Sequence, residues 1–387
     1  MAATFGAGAA DEEMIDLGFE NGKRPLVEYP QKRPLIRVTT RPPQLETPFS
    51  VFNNGPITPN DAFFVRYHLT QSPPPETLLR PDRFRLNLTG NVKDALTFSM
   101  EDLRRFEPVQ VTAVNQCSGN SRGFFKPRVA GGQMGNGAMG NAVWKGARLK
   151  DVLAKAGVGA TAKQVMFNGL DQAILPQTPD FVKALDIDQA MDGETMLAYE
   201  MNGEALPWLN GYPLRLVVPG HYGTYWVKHL HEIKVIDEVF NGFWMNPGYR
   251  IPDNSCGCVE PGVKPAKTIP ISRFNVRSFL TSLKDGDKLK SKQAITLRGI
   301  AFDGGYGITE VAVSDDEGKN WRTAQLGKDL GKYSFREWTL QYVPTAGNIT
   351  LRVKATNRTG QSQPMEPLWN PSGYMRNVVE TITVSAG

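Results

Sequence analysis

Apolar residues in this chain come in short runs whose spacing changes along its length. "FRLNLTG" (84–90) and "PLRLVVPG" (213–220) are compact apolar stretches bounded by turn residues, the pattern of buried strands. "WKGARLKDVLAKAG" (144–157) instead places Leu149, Val152 and Leu153 at helical spacing, with Gly157 as the stop, and predicts a helix. From residue 293 onward the pattern settles into alternation at period two. "QAITLRGIAFDG", "ITEVAVSDDEGKNWRTAQL", "YSFREWTLQYV" and "NITLRVKATNRTG" predict a β-sandwich of immunoglobulin type. Within it, Asp316, Glu317 and Gly318 are expected to form a hairpin turn.

The expected class is therefore α+β: a mixed α/β domain followed by an immunoglobulin-like sandwich. Residues 1–50 are expected to form an extended segment, because "KRPLIRVTTRPPQLETPFS" is broken by proline. The second unit is assigned to residues 51–260 and the third to 261–387. The Pro- and Gly-rich stretch "CGCVEPGVKPAKTIP" reads as the linker between them.

Composition narrows the function classes. The chain has 387 residues, 40% of them hydrophobic and 21% charged, as an ordinary globular protein does. No apolar run is long enough to span a membrane. The net charge of +5 is spread rather than clustered, which disfavours a nucleic-acid platform and suits an anionic ligand. "MAATFGAGAADEEM" has no basic n-region or intact apolar core, and reads as a remnant of an export signal or an expression start. Of the three cysteines, Cys256 and Cys258 are expected to lie too close for an easy bridge.

The third cysteine carries more chemistry. In "VNQCSGNSRG" (114–123), a β-branched run delivers Cys117 into a loop of small and polar residues. Arg122, five positions on, favours the thiolate, the form that attacks electrophiles or binds soft metals. An arbitrary cysteine is more often a small buried hydrophobe, but the flanking "GNSRG" is too polar for that. In "NDAFFVRYHL", Arg66 and His68 point to one face of an extended run and Val65 and Tyr67 to the other, so the first pair can clamp an anion. The bland alternative for Arg66 is a surface ion pair. "GYPLRLVVPGHYGTYWVKHLHEIKV" adds Arg215, Lys228, His229 and His231; the two histidines share a face, but a zinc site needs a third ligand, and structural roles are favoured. Asp171 suits an Asx-turn and Tyr249 a packed ring with a bonded hydroxyl. No dinucleotide fingerprint, Walker loop or nucleophile elbow is present, and no C-x-x-C-H, so covalent c-type haem is not expected in this chain.

Taken in order, "FFVRYHL", "QCSGN-R", "AVWKGARLKDVL", "AYEMNGEALP", "GYPLRLVVPG" and "VKHL" resemble the sulfite oxidase family of mononuclear molybdenum enzymes, over nearly the whole chain. The resemblance implies molybdenum held by one pyranopterin dithiolene (molybdopterin), with Cys117 as the protein's metal ligand. It implies Arg66 and Arg122 as sulfite-binding groups, Tyr249 as the active-site tyrosine, and His68, Asp171, Arg215 and Lys228 as pterin contacts. It also implies a homodimer through the C-terminal domain. No segment like the b-type haem domain of the animal enzymes is seen, so an external c-type cytochrome is the expected electron acceptor, and the periplasm the expected compartment. The chain departs from the animal pattern at Ser372, where a further substrate arginine is expected, and at Asn210, where a pterin-contacting histidine is expected. Nitrate or a sulfoxide is the alternative substrate; a binding protein that has lost catalysis is the alternative class.

Overall fold

The computed structural model describes residues 13–387, so nearly all of the stretch read as an export remnant lies outside the described residues. β-Structure dominates. Among the described residues the α-helices are Met100–Arg104, Leu149–Ala156 and Ile187–Ala190. The second is the helix predicted from spacing: it buries Leu149, Val152, Leu153 and Ala156 and ends at Gly157, whose φ of +69° only glycine adopts cheaply. The first is short but well capped, with Ser99 and Asp102 satisfying each other's backbone N–H groups. Helix is thus a minor part of the chain, because its prolines and glycines rarely leave an uninterrupted helical period.

The N-terminal segment is not irregular. Met14–Asp16, Lys23–Tyr29, Lys32–Thr39, Gln44–Glu46 and Val65–Arg66 form a five-stranded antiparallel sheet in sequential order. Proline is tolerated here because the pairing slips between Val27 and Tyr29, opposite Pro34, so the missing N–H falls at a bulge. Leu35, Leu45, Val65 and Tyr67 form a small separate core with Leu209.

Two further sheets frame the centre. One orders Lys183–Asp186, Gln164–Gly169, Leu230–Ile236, Leu86–Gly90 and Leu96–Phe98, with a parallel pairing between the third and fourth. The other is built on the long hairpin of Pro108–Gln116 with Met139–Arg148, extended by Met196–Met201, which pairs in turn with Glu204–Ala205 and Arg215–Val217. The hairpin register places Gln116 opposite Met139, so the chain leaves the sheet at Cys117 and returns at Ala138. The Cys117 N–H bonds to the Ala138 carbonyl at 2.9 Å and closes the neck of that loop.

The C-terminal unit packs a four-stranded sheet against a five-stranded one around Leu297, Val311, Trp338, Leu351 and Val384. Each alternating segment identified in the sequence contains one of its principal strands: Ile295–Phe302, Ile308–Ser314, Arg336–Tyr342 and Gly347–Asn357. The "SDDEGKNW" turn forms, with Glu317 and Gly318 at positive φ. The linker is tied rather than free, since Thr268–Pro270 pairs with Arg250–Pro252. Cys256 and Cys258 are bonded to each other, contrary to the sequence expectation. Gly257 at φ +59° reverses the chain between them and leaves their Cα atoms 5.1 Å apart, within bridging range.

The two large units share one apolar core. Phe279, Ile300, Phe302 and Phe335 join the cluster that holds Phe63, Trp144 and Trp226. Phe49 meets Phe279 edge-on at 5.5 Å, and Phe52 meets Phe335 at 6.0 Å. Arg277, fully buried, crosses the same boundary: Nη2 donates to Glu380 at 2.6 Å and to Ser121 Oγ at 3.0 Å. Removing Glu380 leaves a buried guanidinium unpaired. Glu380→Ala is therefore expected to cost about 3 kcal/mol by urea denaturation. Glu101→Ala, which breaks the exposed pair with Arg105, is expected to cost less than about 1 kcal/mol.

Candidate active site

Cys117 occupies the end of the longest hairpin, 8% exposed and unbonded to any other cysteine. Two cavities meet at its side chain. The inner one is lined by Arg66, His68, Cys117, Asp171, Arg215, Lys228 and Tyr249, together with Asn115, Ser118, Asn210 and Thr224. The outer one, of about 300 Å³, is lined by Arg66, Cys117, Ser118, Gly119, Arg122, Gly131, Gly132, Trp244, Tyr249, Ser372 and Tyr374. Every residue that the resemblance assigns to the site therefore lines one or both hollows, whereas His229 and His231 line neither. Arg66, Cys117 and Tyr249 stand on the wall common to the two.

The strand Val65–Arg66 explains one side. Val65 and Tyr67 enter the small N-terminal core, which turns Arg66 and His68 toward the cavities. The Arg66 guanidinium bonds the Tyr67 carbonyl. His68 stacks on Phe181 at 3.8 Å and bonds the Tyr249 hydroxyl through Nε2. Burial, reinforced by Arg66, holds His68 well below the usual imidazole range, so it is neutral at pH 7. Burial pushes the Tyr249 phenol up, with Arg66 opposing, and it keeps its proton. Tyr249 itself adopts φ +56° in the loop before Arg250–Pro252.

The floor of the inner cavity is cationic. Arg215 packs beside the edge-to-face pair of Trp144 and Trp226, 5.0 and 5.7 Å from their centroids, and donates to the carbonyls of Asn210 and Trp226. Burial lowers its pKa to about 9. The Lys228 ammonium sits 2.9 Å from the Tyr67 ring centroid; burial and then Arg215 hold its pKa well below normal. Asp171 is raised by burial, with Lys228 opposing. Three cations thus line the inner hollow with one carboxylate. That imbalance is costly unless an anion enters.

Unpaired polar atoms point the same way. Asn115 Oδ1, Ser118 Oγ, Thr224 Oγ1 and Arg215 Nε are buried without a protein partner, and all four residues line the inner cavity. Such groups ask for a ligand rich in donors and acceptors. Gly223 keeps the wall open, since a Cβ there would lie 2.4 Å from Asn115 Oδ1. A pterin carrying a phosphate fits this donor set, and the Cys117 sulfur is a soft ligand at its rim.

In the outer cavity Arg122 is 7% exposed. Its Nε donates to the Ser372 carbonyl at 3.2 Å and Nη1 to the Gly132 carbonyl at 3.4 Å. Gly119 and Gly131 make room for it, because a Cβ at either would come within 2.9 and 2.7 Å of the guanidinium.

Of the two doubtful histidines, His229 has a structural role. His229 is fully buried between the Tyr67 hydroxyl and the Tyr212 carbonyl, each at 2.7 Å, and His231 joins no metal-binding cluster among the described residues.

Three residues escaped the sequence reading. Lys32, 7% exposed, donates to Asn210 Oδ1 and to the Asn60 carbonyl, each at 2.5 Å, directly behind the inner cavity. Lys183 lies under the rings of Tyr225 and Tyr249 at 4.7 and 4.9 Å and bonds the Trp244 carbonyl at 2.5 Å. Tyr374 reaches the outer cavity from the C-terminal unit. Only the lysine in the otherwise apolar run "FVKAL" offered a local signal.

With this geometry in view, the comparisons are specific. Residues 71–244 match the oxidoreductase molybdopterin binding domain, and residues 268–386 the Mo-co oxidoreductase dimerisation domain. Mitochondrial sulfite oxidase of Macaca fascicularis is 34% identical over 93% of this chain and 67% of its own length. Sulfite oxidase of Arabidopsis thaliana is 31% identical over 93% of this chain and 96% of its own. The crystal structure of sulfane dehydrogenase SoxCD from Paracoccus pantotrophus superposes with a TM-score of 0.76 at 26% identity, covering 94% of this chain and 88% of that one. These matches define a molybdopterin-binding oxidoreductase. The chain belongs to the sulfite oxidase family.

Burial lowers the pKa of Lys183 from 10.5 to about 7, with no opposing carboxylate. Between those values the unfolded chain binds the extra proton, so stability rises with pH across that window. Without bound cofactor, the urea midpoint of the wild type is expected to rise more between pH 7 and pH 10 than that of Lys183→Met. Equal slopes would show that the ammonium is solvated.

Proposed function

We propose that this protein is a sulfite dehydrogenase, oxidising sulfite to sulfate at a molybdenum centre. The single observation that carries the reading is the Cys117 sulfur on the wall between a hollow lined by Arg215 and Lys228 and a second hollow lined by Arg66 and Arg122. Cys117 would ligate the metal, while His68, Asp171, Arg215 and Lys228 would contact the pterin and its phosphate. When bound, the molybdenum centre supplies oxygen-atom transfer and two-electron redox chemistry, which no side chain here can provide.

The chain's own contribution is position and charge. Sulfite gains one oxygen derived from water and releases two electrons and two protons. The Arg66 and Arg122 guanidiniums hold its oxygens and offset its negative charge, leaving the sulfur lone pair directed inward. Tyr249, held by His68 and still protonated, offers a hydroxyl at the shared wall. Trp244 and Tyr249 form part of the apolar wall that limits water around the anion and strengthens these contacts. The backbone bonds on Arg122 fix its guanidinium before substrate arrives, so little ordering remains to be done on binding.

The electrons leave one at a time to an external c-type cytochrome, and the protein works in the periplasm as a homodimer joined through its C-terminal unit. The match of residues 268–386 to a dimerisation domain supports the last point. The test is metal analysis combined with sulfite-driven reduction of cytochrome c. About one molybdenum per chain and turnover are expected; metal-free protein from a cofactor-competent host, or turnover of nitrate in place of sulfite, would overturn the reading.

Two substitutions probe the roles separately. Cys117→Ser is expected to abolish turnover while the far-ultraviolet circular dichroism stays native. Arg66→Gln is expected to raise the sulfite KM by about tenfold or more, since a charge-assisted hydrogen bond to an anion is lost. An unchanged KM would move the substrate elsewhere.

A further inference from the structure

The outer cavity receives a side chain from the C-terminal unit that none of the roles above uses. Tyr374 lies parallel to Tyr249, with ring centroids 5.3 Å apart and planes inclined by 8°. The Arg122 guanidinium carbon sits 5.0 Å from the Tyr374 centroid. The tyrosine therefore covers one face of a proposed substrate-binding cation and extends the aromatic wall begun by Tyr249.

Its loop is built to hold this pose. Buried Asn370 closes it with three hydrogen bonds: its Nδ2 to the Tyr374 carbonyl, its Oδ1 from the Tyr374 N–H, and its carbonyl from the Gly373 N–H. Gly373 has φ +59°, and a Cβ there would meet Val129 at 2.3 Å and Arg122 at 2.9 Å. Beyond the tyrosine, the Met375 N–H bonds the Ser118 carbonyl, next to Cys117. The loop is thus fixed at both ends against the site.

Ser372 cannot serve in its place, because its Oγ already donates to the Arg250 carbonyl. Tyr374 is half-buried, the Arg122 side chain hydrogen-bonds its hydroxyl, and among the described residues no bond is found in which that hydroxyl donates. Burial keeps that hydroxyl protonated, above the usual phenol range. The Tyr249 hydroxyl, by contrast, is engaged by His68.

On the reading of this cavity as the oxyanion site, we propose that Tyr374 is a substrate-binding residue: its hydroxyl donates to an oxygen of the bound tetrahedral or pyramidal oxyanion while its ring fixes Arg122. Two guanidiniums and a phenol then select a small oxyanion, and the second domain completes the site.

The test compares Tyr374→Phe, which keeps the ring, with Tyr374→Leu, which removes it. Sulfate binding to the cofactor-loaded protein is measured by calorimetry, alongside the sulfite KM. Tyr374→Phe is expected to weaken sulfate binding and raise KM by about tenfold, the loss of one hydrogen bond to a charged group; Tyr374→Leu should lose more. Circular dichroism and molybdenum content report whether each variant is folded and loaded. Wild-type sulfate affinity and KM in Tyr374→Phe would overturn the assignment while leaving sulfite oxidation intact. Tyr374-dependent sulfate binding without sulfite turnover would sustain the assignment and remove the functional reading. Absence of sulfate binding to the wild type would overturn it as well.

Discussion

Arg215 is buried, and Arg66 and Lys228 half-buried, around a hollow that offers the three of them one carboxylate, Asp171. This is the constraint on which the rest of the structure depends. Desolvation is expensive for Arg215 and Lys228, and aromatic rings and backbone carbonyls recover only part of it. A multiply charged anion would balance the deficit, and a pterin phosphate is such a group. Lys32 and Lys183 stand just outside the same hollow, where burial lowers the pKa of each to about 7.

The fold makes this arrangement affordable by committing rigid elements to it. The long hairpin ends at Cys117, the N-terminal sheet aims Arg66 and His68, and the Trp144–Trp226 pair packs against Arg215. Loops then supply what strands cannot. The Cys117–Ala138 connection brings Arg122 back over the outer cavity, and glycines around it remove the side chains that would displace its guanidinium. Chemistry sits on loops, but each loop is anchored within a few residues to a sheet.

Local pattern was enough to find Cys117, because a strand feeding a polar, glycine-containing turn is visible in ten residues. Period-two alternation likewise put Arg66 and His68 on one face. The helix at 149–156 and the C-terminal strands were legible for the same reason: their periods are uninterrupted. The N-terminal sheet was not, since Pro34 looks like a breaker until the bulge opposite it is seen. The Cys256–Cys258 bridge was hidden by the positive φ of Gly257. Lys32, Lys183 and Tyr374 act across long sequence separations, from Lys32 to Asn210 and from Tyr374 to Arg122. No window of sequence contains both halves of such a contact.

Two family modules match this chain separately, yet they are not interchangeable parts. Phe279 and Phe335 complete an apolar core begun by Phe49 and Phe52, and Arg277 reaches across to Ser121, beside Arg122. A chimaera that grafted a foreign C-terminal module would inherit a mismatched seam and a catalytic loop without its brace. An exchange of the C-terminal unit would have to carry these seam residues with it.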